Sequence, residues 1–287
     1  MHVIVGGTGQ VGSATARALL NRGEPVTVIT RNADHAPDLK AVGARIVVVD
    51  VRDSDGLRQV FRTGRRAFIL NPPAAPSTDT DKEERTNLAA IVAALDGSGL
   101  EKVVLASTYG ARPGERCGDL TILHEFEQAL NAQPIPAAIN RGAYYLSNWG
   151  GMLDVIRDSG KLPSFLPADV YIPMVAPRDL GEAAATRLIG PVEDTRLKYV
   201  EGPKHYRPRD VADAFSEILA MSVELDVIPR EKWVETFERF GFSRPAAQSY
   251  ACMTGTVVDE PVAKLENVER GPTSLRDYIN GLVNQTR

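Results

Sequence analysis

Three glycines spaced three residues apart form the first motif of the chain: Gly6, Gly9 and Gly12 in VGGTGQVG. A strand-like run at His2–Val5 precedes the motif, and a helical pattern at Gly12–Asn21 follows it. A tight strand-to-helix turn favours glycine, and bare backbone N–H groups at a helix N-terminus can hold a phosphate. In this context the spacing predicts dinucleotide binding. The residues expected to hold the pyrophosphate are Gly6, Thr8, Gly9, Gln10 and Val11.

The residue after the second predicted strand indicates which dinucleotide the loop binds. Folds that prefer NAD usually carry an acid there for the ribose hydroxyls, whereas VTVIT ends in Thr30-Arg31-Asn32. Arg31 can pair with a 2′-phosphate and stack on adenine, although a plain surface arginine is the alternative. We therefore predict NADP(H) in preference to NAD(H). At the end of the third strand, Asp50 and the adjacent Val51 are expected beside the adenine, with a simple turn as the alternative for Asp50.

Two further segments are expected to border the nicotinamide and its reaction partner. Leu70 ends the fourth strand and Asn71-Pro72-Pro73 follow it, and open α/β sheets bind ligands beyond the carboxyl ends of their strands. Prolines there make a rigid wall that lacks N–H donors. NRGAYYLSNW follows the sixth strand and offers flat apolar faces with polar tips, which suit an aromatic substrate. The residues predicted on the substrate side are Pro73, Tyr109, Tyr144, Tyr145 and Asn148.

Several motifs together resemble the NmrA-like branch of the atypical, extended short-chain dehydrogenases/reductases. They are VGGTGQVG, ITR after the second strand, ILNPP after the fourth, VVLAST after the fifth and INRGAYYLSN after the sixth, and the resemblance covers most of the chain. It implies a Rossmann-type fold and an NADP(H) cofactor. The family includes quinone and azo-dye reductases, reductases of small aromatic natural products, and NADP(H)-sensing regulators without activity. Fold and cofactor are therefore implied more firmly than the reaction.

The proton-transfer residues of active short-chain dehydrogenases are only partly present. Ser107 occupies the expected Ser/Thr position after the fifth strand, but no Tyr-x-x-x-Lys occurs in the chain, and placing His124 where Lys belongs puts Leu120 where Tyr belongs. A ketone needs a proton donor in the transition state, whereas a quinone yields a stabilised phenolate that is protonated later. Tyr109 can supply a hydroxyl or pack over the cleft. His124 can bond the nicotinamide ribose or lie on a helix surface. Ser107, Tyr109 and His124 are the catalytic candidates, and Ser107, His124, Asn71 and Pro72 are expected around the nicotinamide.

Alternating strands and helices in the first half predict an α/β fold, a Rossmann-type doubly wound parallel sheet with a smaller, mostly helical C-terminal substrate or cap region. We place the dinucleotide-binding core at 1–145 and the substrate or cap region at 146–287. Strands near 171–175 and 196–202 are expected to return to the core or flank it. The predicted early strands are His2–Val5, Pro25–Thr30, Arg45–Val49, Ala67–Leu70 and Lys102–Ala106.

The composition argues against several classes of protein. A net charge of −4 with scattered basic residues predicts no nucleic-acid partner, and the absence of a long apolar run predicts no membrane span. The four histidines lack metal-ligand spacing, so no metal is expected. Cys117 and Cys252 lie far apart without a CxxC motif, which predicts reduced, incidental thiols. Those thiols, and a glycine loop too early in the chain for a signal peptide, predict a cytoplasmic location. Monomer and homodimer both stay open.

The leading hypothesis is an NADP(H)-dependent oxidoreductase that transfers hydride to a small quinone-like or conjugated aromatic acceptor. A complete cofactor loop beside an incomplete proton-transfer pair motivates it. The alternative is a non-catalytic NADP(H)-binding redox sensor with a regulatory protein partner, and a tailoring enzyme of a biosynthetic pathway is a third possibility.

Overall fold

The glycine loop follows β1, an inner strand of an eight-stranded parallel sheet in the computed structural model, which describes residues 1–260, 265 and 268–285. The strands of the described chain, in chain order, are β1 His2–Ile4, β2 Val26–Thr30, β3 Arg45–Val48, β4 Arg66–Ile69, β5 Lys102–Thr108, β6 Ala137–Gly142, β7 Tyr144–Tyr145, β8 Lys161–Ser164, β9 Ile172–Val175, β10 Lys198–Glu201, β11 His205–Tyr206, β12 Glu224–Val227 and β13 Val268–Arg270. The main sheet has the order β13-β10-β6-β5-β4-β1-β2-β3. Because the strand order reverses between β1 and β4, this is the point at which such sheets bind ligands.

Helices cover both faces of this sheet, which confirms the predicted fold class. They are α1 Gln10–Leu20, α2 Pro37–Ala41, α3 Ser54–Phe61, α4 Thr80–Leu95, α5 Asp119–Asn131, α6 Ser147–Gly150, α7 Leu153–Ser159, α8 Pro177–Ile189, α9 Pro208–Leu219, α10 Trp233–Arg239, α11 Arg244–Asp259 and α12 Leu275–Gln285. Phe61, Ile91 and Phe126 of α3, α4 and α5 pack on one face, and Leu19 and Leu188 of α1 and α8 pack on the other. The inner strands β1, β2, β4 and β5 are therefore largely buried on both faces, as their continuous apolar runs predict. The same prediction for the run RIVVVD is wrong, because β3 is an edge strand whose residues are half-buried or exposed.

Helices α1 and α8 approach each other closely because α8 carries a glycine at their contact. A Cβ atom on Gly181 would stand 2.5 Å from the Cβ of Ala14 and 2.6 Å from its carbonyl carbon. The close packing fixes α1 against the sheet and so fixes the direction in which its N-terminus points. The glycine loop lies at that N-terminus.

The C-terminal half contributes strands to the main sheet and also forms smaller sheets. Of the strands expected near 171–175 and 196–202, β10 extends the main sheet, whereas β9 pairs with β7 and β11. β8 pairs with β12, and β13 continues the main sheet beyond β10. Strands on the two sides of residue 145 thus pair with each other. The domain boundary that we place after that residue stays a prediction. In the part of the chain described, no helix is both long and apolar enough to span a membrane.

The prediction of reduced, incidental cysteines is wrong. Cys117 and Cys252 form a disulfide, with 5.2 Å between their Cα atoms and a sequence separation of 135. Cys117 ends the loop before α5, and Cys252 lies in α11. The pairing exists because the fold carries α11 across the N-terminus of α5, a long-range contact of which the local sequence gives no sign.

Candidate cofactor and acceptor site

The glycine loop forms a bare cradle at the start of α1. Gly6 has a φ of +66°, and its carbonyl oxygen accepts the Gly9 N–H at 3.0 Å. A Cβ on Gly12 would stand 2.2 Å from that same oxygen. The N-cap residue Gly9 has no side chain to satisfy the first turn of α1, and Thr8, Gly9 and Gln10 are exposed. The first turn of α1 therefore presents backbone N–H groups and the positive end of the helix dipole to a phosphate. This cradle fits a pyrophosphate.

The adenosine end of the site is set by the turns after β2 and β3. Thr30 Oγ1 donates to the Asn32 carbonyl at 3.0 Å, and the turn holds Arg31 in an exposed position beyond β2. Asp50 Oδ1 accepts the Arg52 N–H at 2.9 Å, so Asp50 does close a turn, while its residue stays exposed. Val51 is buried behind it, 8% exposed. Arg31 thus lies exposed directly after β2, and no acidic residue ends that strand.

The Asn71–Pro73 wall is held in place by α4. Asn71 Nδ2 donates to the Glu84 carbonyl at 3.1 Å, and the Ala74 N–H donates to Glu84 Oε1 at 3.0 Å. Asn87 Nδ2 donates to the Pro72 carbonyl at 3.1 Å. Asn71 Oδ1 is buried and has no hydrogen-bond partner among the described residues, so it is available to a ligand amide or hydroxyl. The side chain of Leu70 covers Gly6: a Cβ there would meet Leu70 Cδ1 at 2.6 Å.

The hydroxyls of Ser107 and Tyr109 are both hydrogen-bonded to carboxylates. Ser107 is 1% exposed and its Oγ donates to Glu127 Oε1 at 2.5 Å. Glu127 in turn receives two bonds from Arg141, at 2.9 and 2.6 Å. Tyr109 Oη donates to Glu201 Oε1 at 2.9 Å, and burial together with the Glu201 charge raises the Tyr109 pKa. Both donors are therefore engaged, and these contacts fix the end of β5.

The remaining predicted residues border the same region from α5 and β7. His124 is half-buried on α5, and its Nδ1 has no hydrogen-bond partner in the described chain. Tyr145 lines a small cavity with Val11 and Phe68, beside the glycine loop. Tyr144 instead packs in the cap, with its ring centroid 5.7 Å from that of Trp149.

The hydroxyl of Tyr144 interacts with Asn148, an exposed residue of α6, and Pro73 at the other side of the region is also exposed. Burial raises the pKa of Tyr144 to about 12. Among the substrate-side predictions, Tyr145 is thus the aromatic residue that lies against the glycine loop, while Tyr144 is anchored in the cap.

Three carboxyl groups that the sequence analysis did not select form an acidic cluster, defined by Asp81 and Glu84 of α4 and Asp119 of α5. Burial, and then the Asp119 charge, raise the pKa of Glu84 to about 8. Asp119 reaches solvent, but enclosure by surrounding protein and the Asp81 charge raise its pKa to about 6. Asp81 is fully buried, neither of its oxygens has a hydrogen-bond partner in the described chain, and Arg85 Nη1 lies 3.9 Å away. Glu84 therefore keeps a proton at neutral pH that an ordinary carboxylate would have lost.

Tyrosines from two elements face this cluster. The Asp119 charge raises the pKa of Tyr145, after the larger effect of burial. The same two causes, with further contributions from Glu84 and Asp81, raise the pKa of Tyr250 in α11. The Tyr250 ring packs on Phe242 with 4.8 Å between centroids. No group of three or more His, Cys, Asp or Glu in the described residues is arranged to hold a metal ion.

The sequence offered little sign of the acidic cluster or of Tyr250. Acidic residues in the first turn of a helix are common because they complement the helix dipole, and that is where Asp81 and Asp119 stand. Tyr250 lies in a segment that predicted only a helical cap. These residues come close together only because α4, α5 and α11 pack against one another in the fold.

Comparison with known proteins agrees with the cradle. A family of NAD(P)H-binding domains matches residues 6–135, which contain the glycine loop, the Arg31 turn and the Asn71–Pro73 wall. The chain is 22% identical to the NAD(P)H azoreductase of Xenophilus azovorans, over 99% of this chain and 90% of that protein. It is 28% identical to the nitrogen metabolite regulation-like protein bik4 of Gibberella fujikuroi, over 80% of this chain and 72% of that protein.

Solved structures share the fold along almost the whole chain. The triphenylmethane reductase of Citrobacter sp., in complex with NADP(H), superposes with a TM-score of 0.80 at 19% identity and covers 100% of both chains. The NADPH-dependent quinone oxidoreductase QOR2 of Escherichia coli, in complex with NADPH, superposes with a TM-score of 0.78 at 18% identity and covers 99% of this chain and 100% of its own.

Proposed function

We propose that the chain, which resembles the NmrA-like atypical short-chain dehydrogenases/reductases, is an NADP(H)-dependent oxidoreductase that reduces a quinone-like or other conjugated aromatic acceptor. The carrying observation is the bare glycine cradle within an NAD(P)H-binding domain, opposite a region lined by tyrosines and carboxyl groups. The azoreductase relative supports a conjugated acceptor. The small-molecule acceptor is the principal partner in this proposal.

The cofactor-holding residues follow from the geometry. The N–H groups of the loop from Gly6 to Val11 would bind the pyrophosphate. Arg31 would bind the 2′-phosphate, which is the basis for proposing NADP(H) over NAD(H). Asn71 Oδ1, which has no hydrogen-bond partner among the residues described, would bind the nicotinamide or its ribose, beside Pro72 and His124. When bound, the dihydronicotinamide supplies a hydride.

The acidic cluster is our candidate source of the proton that the reduced acceptor takes up. Ser107 and Tyr109 already donate to carboxylates, so neither hydroxyl is free in this arrangement. The Asp119 carboxyl is open to solvent, makes no side-chain hydrogen bond within the described chain, and acts electrostatically on Tyr145 and Tyr250. Its carboxyl proton would pass to a heteroatom of the acceptor, and burial together with the Asp81 charge, which raise the pKa of Asp119, would favour the return of a proton. Ser107 and Tyr109 would then position β5.

A second candidate function rests on the other relative. The bik4 protein is named for nitrogen metabolite regulation, and a sensor needs the same cradle without turnover. A sensor would distinguish NADPH from NADP⁺ strongly in binding and would oxidise neither with any acceptor. The regulatory protein partner belongs to this candidate alone. Cytoplasmic location and the choice between monomer and homodimer stay predictions under both.

A combined binding and turnover experiment separates the two functions. Calorimetric titration with NADPH and NADP⁺ measures affinity, and NADPH absorbance then follows oxidation with a panel of quinones, azo dyes and triphenylmethane dyes. The proposal expects NADPH binding and acceptor-dependent oxidation, with both lost in a Gly12→Val variant. Binding without oxidation across the whole panel would reject the reductase and favour the sensor.

A further inference from the structure

The disulfide joins the two halves of the molecule beside the proposed acceptor site. Cys117 belongs to the loop between β5 and α5, and Cys252 belongs to α11 of the C-terminal half. They are the two cysteines of the chain. The bond therefore constrains how far α11 can move from the N-terminus of α5, whatever the noncovalent contacts do.

The residues next to each cysteine are those that border the acidic cluster. Gly118, with a φ of +52°, packs against Met253, whose Sδ would lie 2.8 Å from a Cβ at that position. Asp119 follows Gly118 directly, and Tyr250 precedes Cys252 by half a helical turn. The disulfide thus holds Asp119 and Tyr250 on opposite sides of one small region.

Among the described residues, noncovalent contacts tie α11 to the first half near both of its ends and at Met253, which packs against Gly118. At the N-terminal end, the Ser243 N–H donates to the Pro76 carbonyl at 2.9 Å and Ser243 Oγ donates to the Thr78 carbonyl at 2.6 Å. At the other end, Arg112 pairs with Glu260 on the surface, where ion pairs contribute little. Between these ends, the disulfide is the covalent restraint on the helix, beside the Met253–Gly118 contact.

We propose that the Cys117–Cys252 pair is a redox latch on the acceptor site. In the disulfide form α11 is closed over the N-termini of α4 and α5, and Tyr250 completes the site. In the dithiol form α11 opens more often, so the acceptor meets an incomplete site. The cofactor cradle lies around β1 and α1, which α11 does not cover, so NADPH affinity is independent of the latch.

The chemistry of the latch is thiol–disulfide exchange with an external dithiol. A thiolate of the reductant attacks one sulfur of the pair and the other leaves as a thiolate, which gives a mixed disulfide between protein and reductant. The second thiol of the reductant then attacks this mixed disulfide, releases the second protein thiolate and leaves the reductant as a disulfide. Two electrons and two protons pass to the protein. Cys252 is exposed while Cys117 is 7% exposed, so the bond can be approached from the α11 side.

The test compares oxidised protein, protein reduced with dithiothreitol, and the double variant Cys117→Ser/Cys252→Ser. Thiol titration should find no free thiols in the oxidised form and two in the reduced form. Hydrogen exchange should rise in 244–259 on reduction while α1 stays protected. Since the apparent affinity falls with the populated fraction of the competent state, the acceptor KM should rise by about fivefold if that fraction drops to about one fifth. The double variant should show the hydrogen exchange and acceptor KM of the reduced protein, and dithiothreitol should change neither.

The acceptor readout rests on the proposed function, whereas thiol titration and hydrogen exchange do not. Two free thiols in protein exposed to a mild oxidant would overturn the latch. Unchanged exchange in 244–259 after reduction would overturn it as well. A loss of NADPH affinity as large as the rise in acceptor KM would also overturn the latch, because that result indicates general unfolding rather than opening of α11. If hydrogen exchange in 244–259 rose on reduction but no acceptor was turned over, the oxidoreductase function would be rejected and the redox latch would be retained.

Discussion

Replacing Gly12 with alanine puts a methyl group where the glycine loop has no room. The added Cβ would stand 2.2 Å from the Gly6 carbonyl oxygen and 2.7 Å from its carbon, whereas ordinary contacts begin at 3.4 Å. The neighbouring atoms are backbone, so the loop itself must move by about 1 Å, and such overpacking costs roughly 1–3 kcal/mol. If the cost falls on the bound conformation, NADPH affinity drops by about 5- to 150-fold.

A matched substitution controls for the loss of a glycine as such. Gly151 follows α6 with a φ of −65°, and a Cβ there meets nothing within 4 Å. Gly151→Ala should bind NADPH like the wild type. Calorimetric titration gives both affinities, and thermal unfolding verifies that both variants are folded. If folded Gly12→Ala bound NADPH as tightly as Gly151→Ala, the loop would not hold the pyrophosphate in the way proposed.

The other predictions concern charge, pH and the crosslink. Arg31→Ala should weaken NADPH binding by roughly 1.5–3 kcal/mol, the usual value for a charged hydrogen bond, and leave NADH binding almost unchanged; equal losses in titration would refute the NADP preference. Glu84 has its pKa raised from 4.5 to about 8, so the folded state binds the extra proton and stability falls as pH rises through that interval. Glu84→Gln, which can still accept the Ala74 N–H, should therefore raise the unfolding temperature at pH 9 and not at pH 4; a pH-independent effect would contradict this. Removing the crosslink with Cys117→Ser/Cys252→Ser should lower the free energy of unfolding by up to roughly 5 kcal/mol for a loop of 135 residues, and denaturant midpoints equal to those of the oxidised wild type would show no such contribution.

The fold and the cofactor cradle were predictable because their signals are local. The strand-to-helix turn requires Gly6, Gly9 and Gly12 within a few residues of one another. Buried parallel strands appear in the sequence as short, continuous apolar runs. The structure places the five early strands within one or two residues of the expected bounds. The short edge strand β13 was missed, since three residues give no periodicity to detect.

The chemistry beyond the cradle depends on contacts between distant segments. Ser107 was correctly placed at the end of β5, yet its partner Glu127 lies 20 residues away on α5 and decides where the hydroxyl points. Cys117 and Cys252 are paired only by the packing of α11. Asp119 has ordinary sequence surroundings, and its raised pKa arises from burial and then from the charge of Asp81 on α4. Such properties belong to the tertiary arrangement rather than to any motif.

The central claim is that the cradle delivers reducing equivalents to a conjugated acceptor. The most direct measurement follows NADPH consumption and acceptor reduction in the same reaction, with Gly12→Ala and Gly151→Ala measured in parallel. The account predicts equimolar NADP⁺ and two-electron-reduced acceptor, at wild-type rate in Gly151→Ala and with a raised NADPH requirement in Gly12→Ala. The central claim would be contradicted if NADPH bound tightly but stayed unoxidised with every quinone, azo dye and triphenylmethane dye.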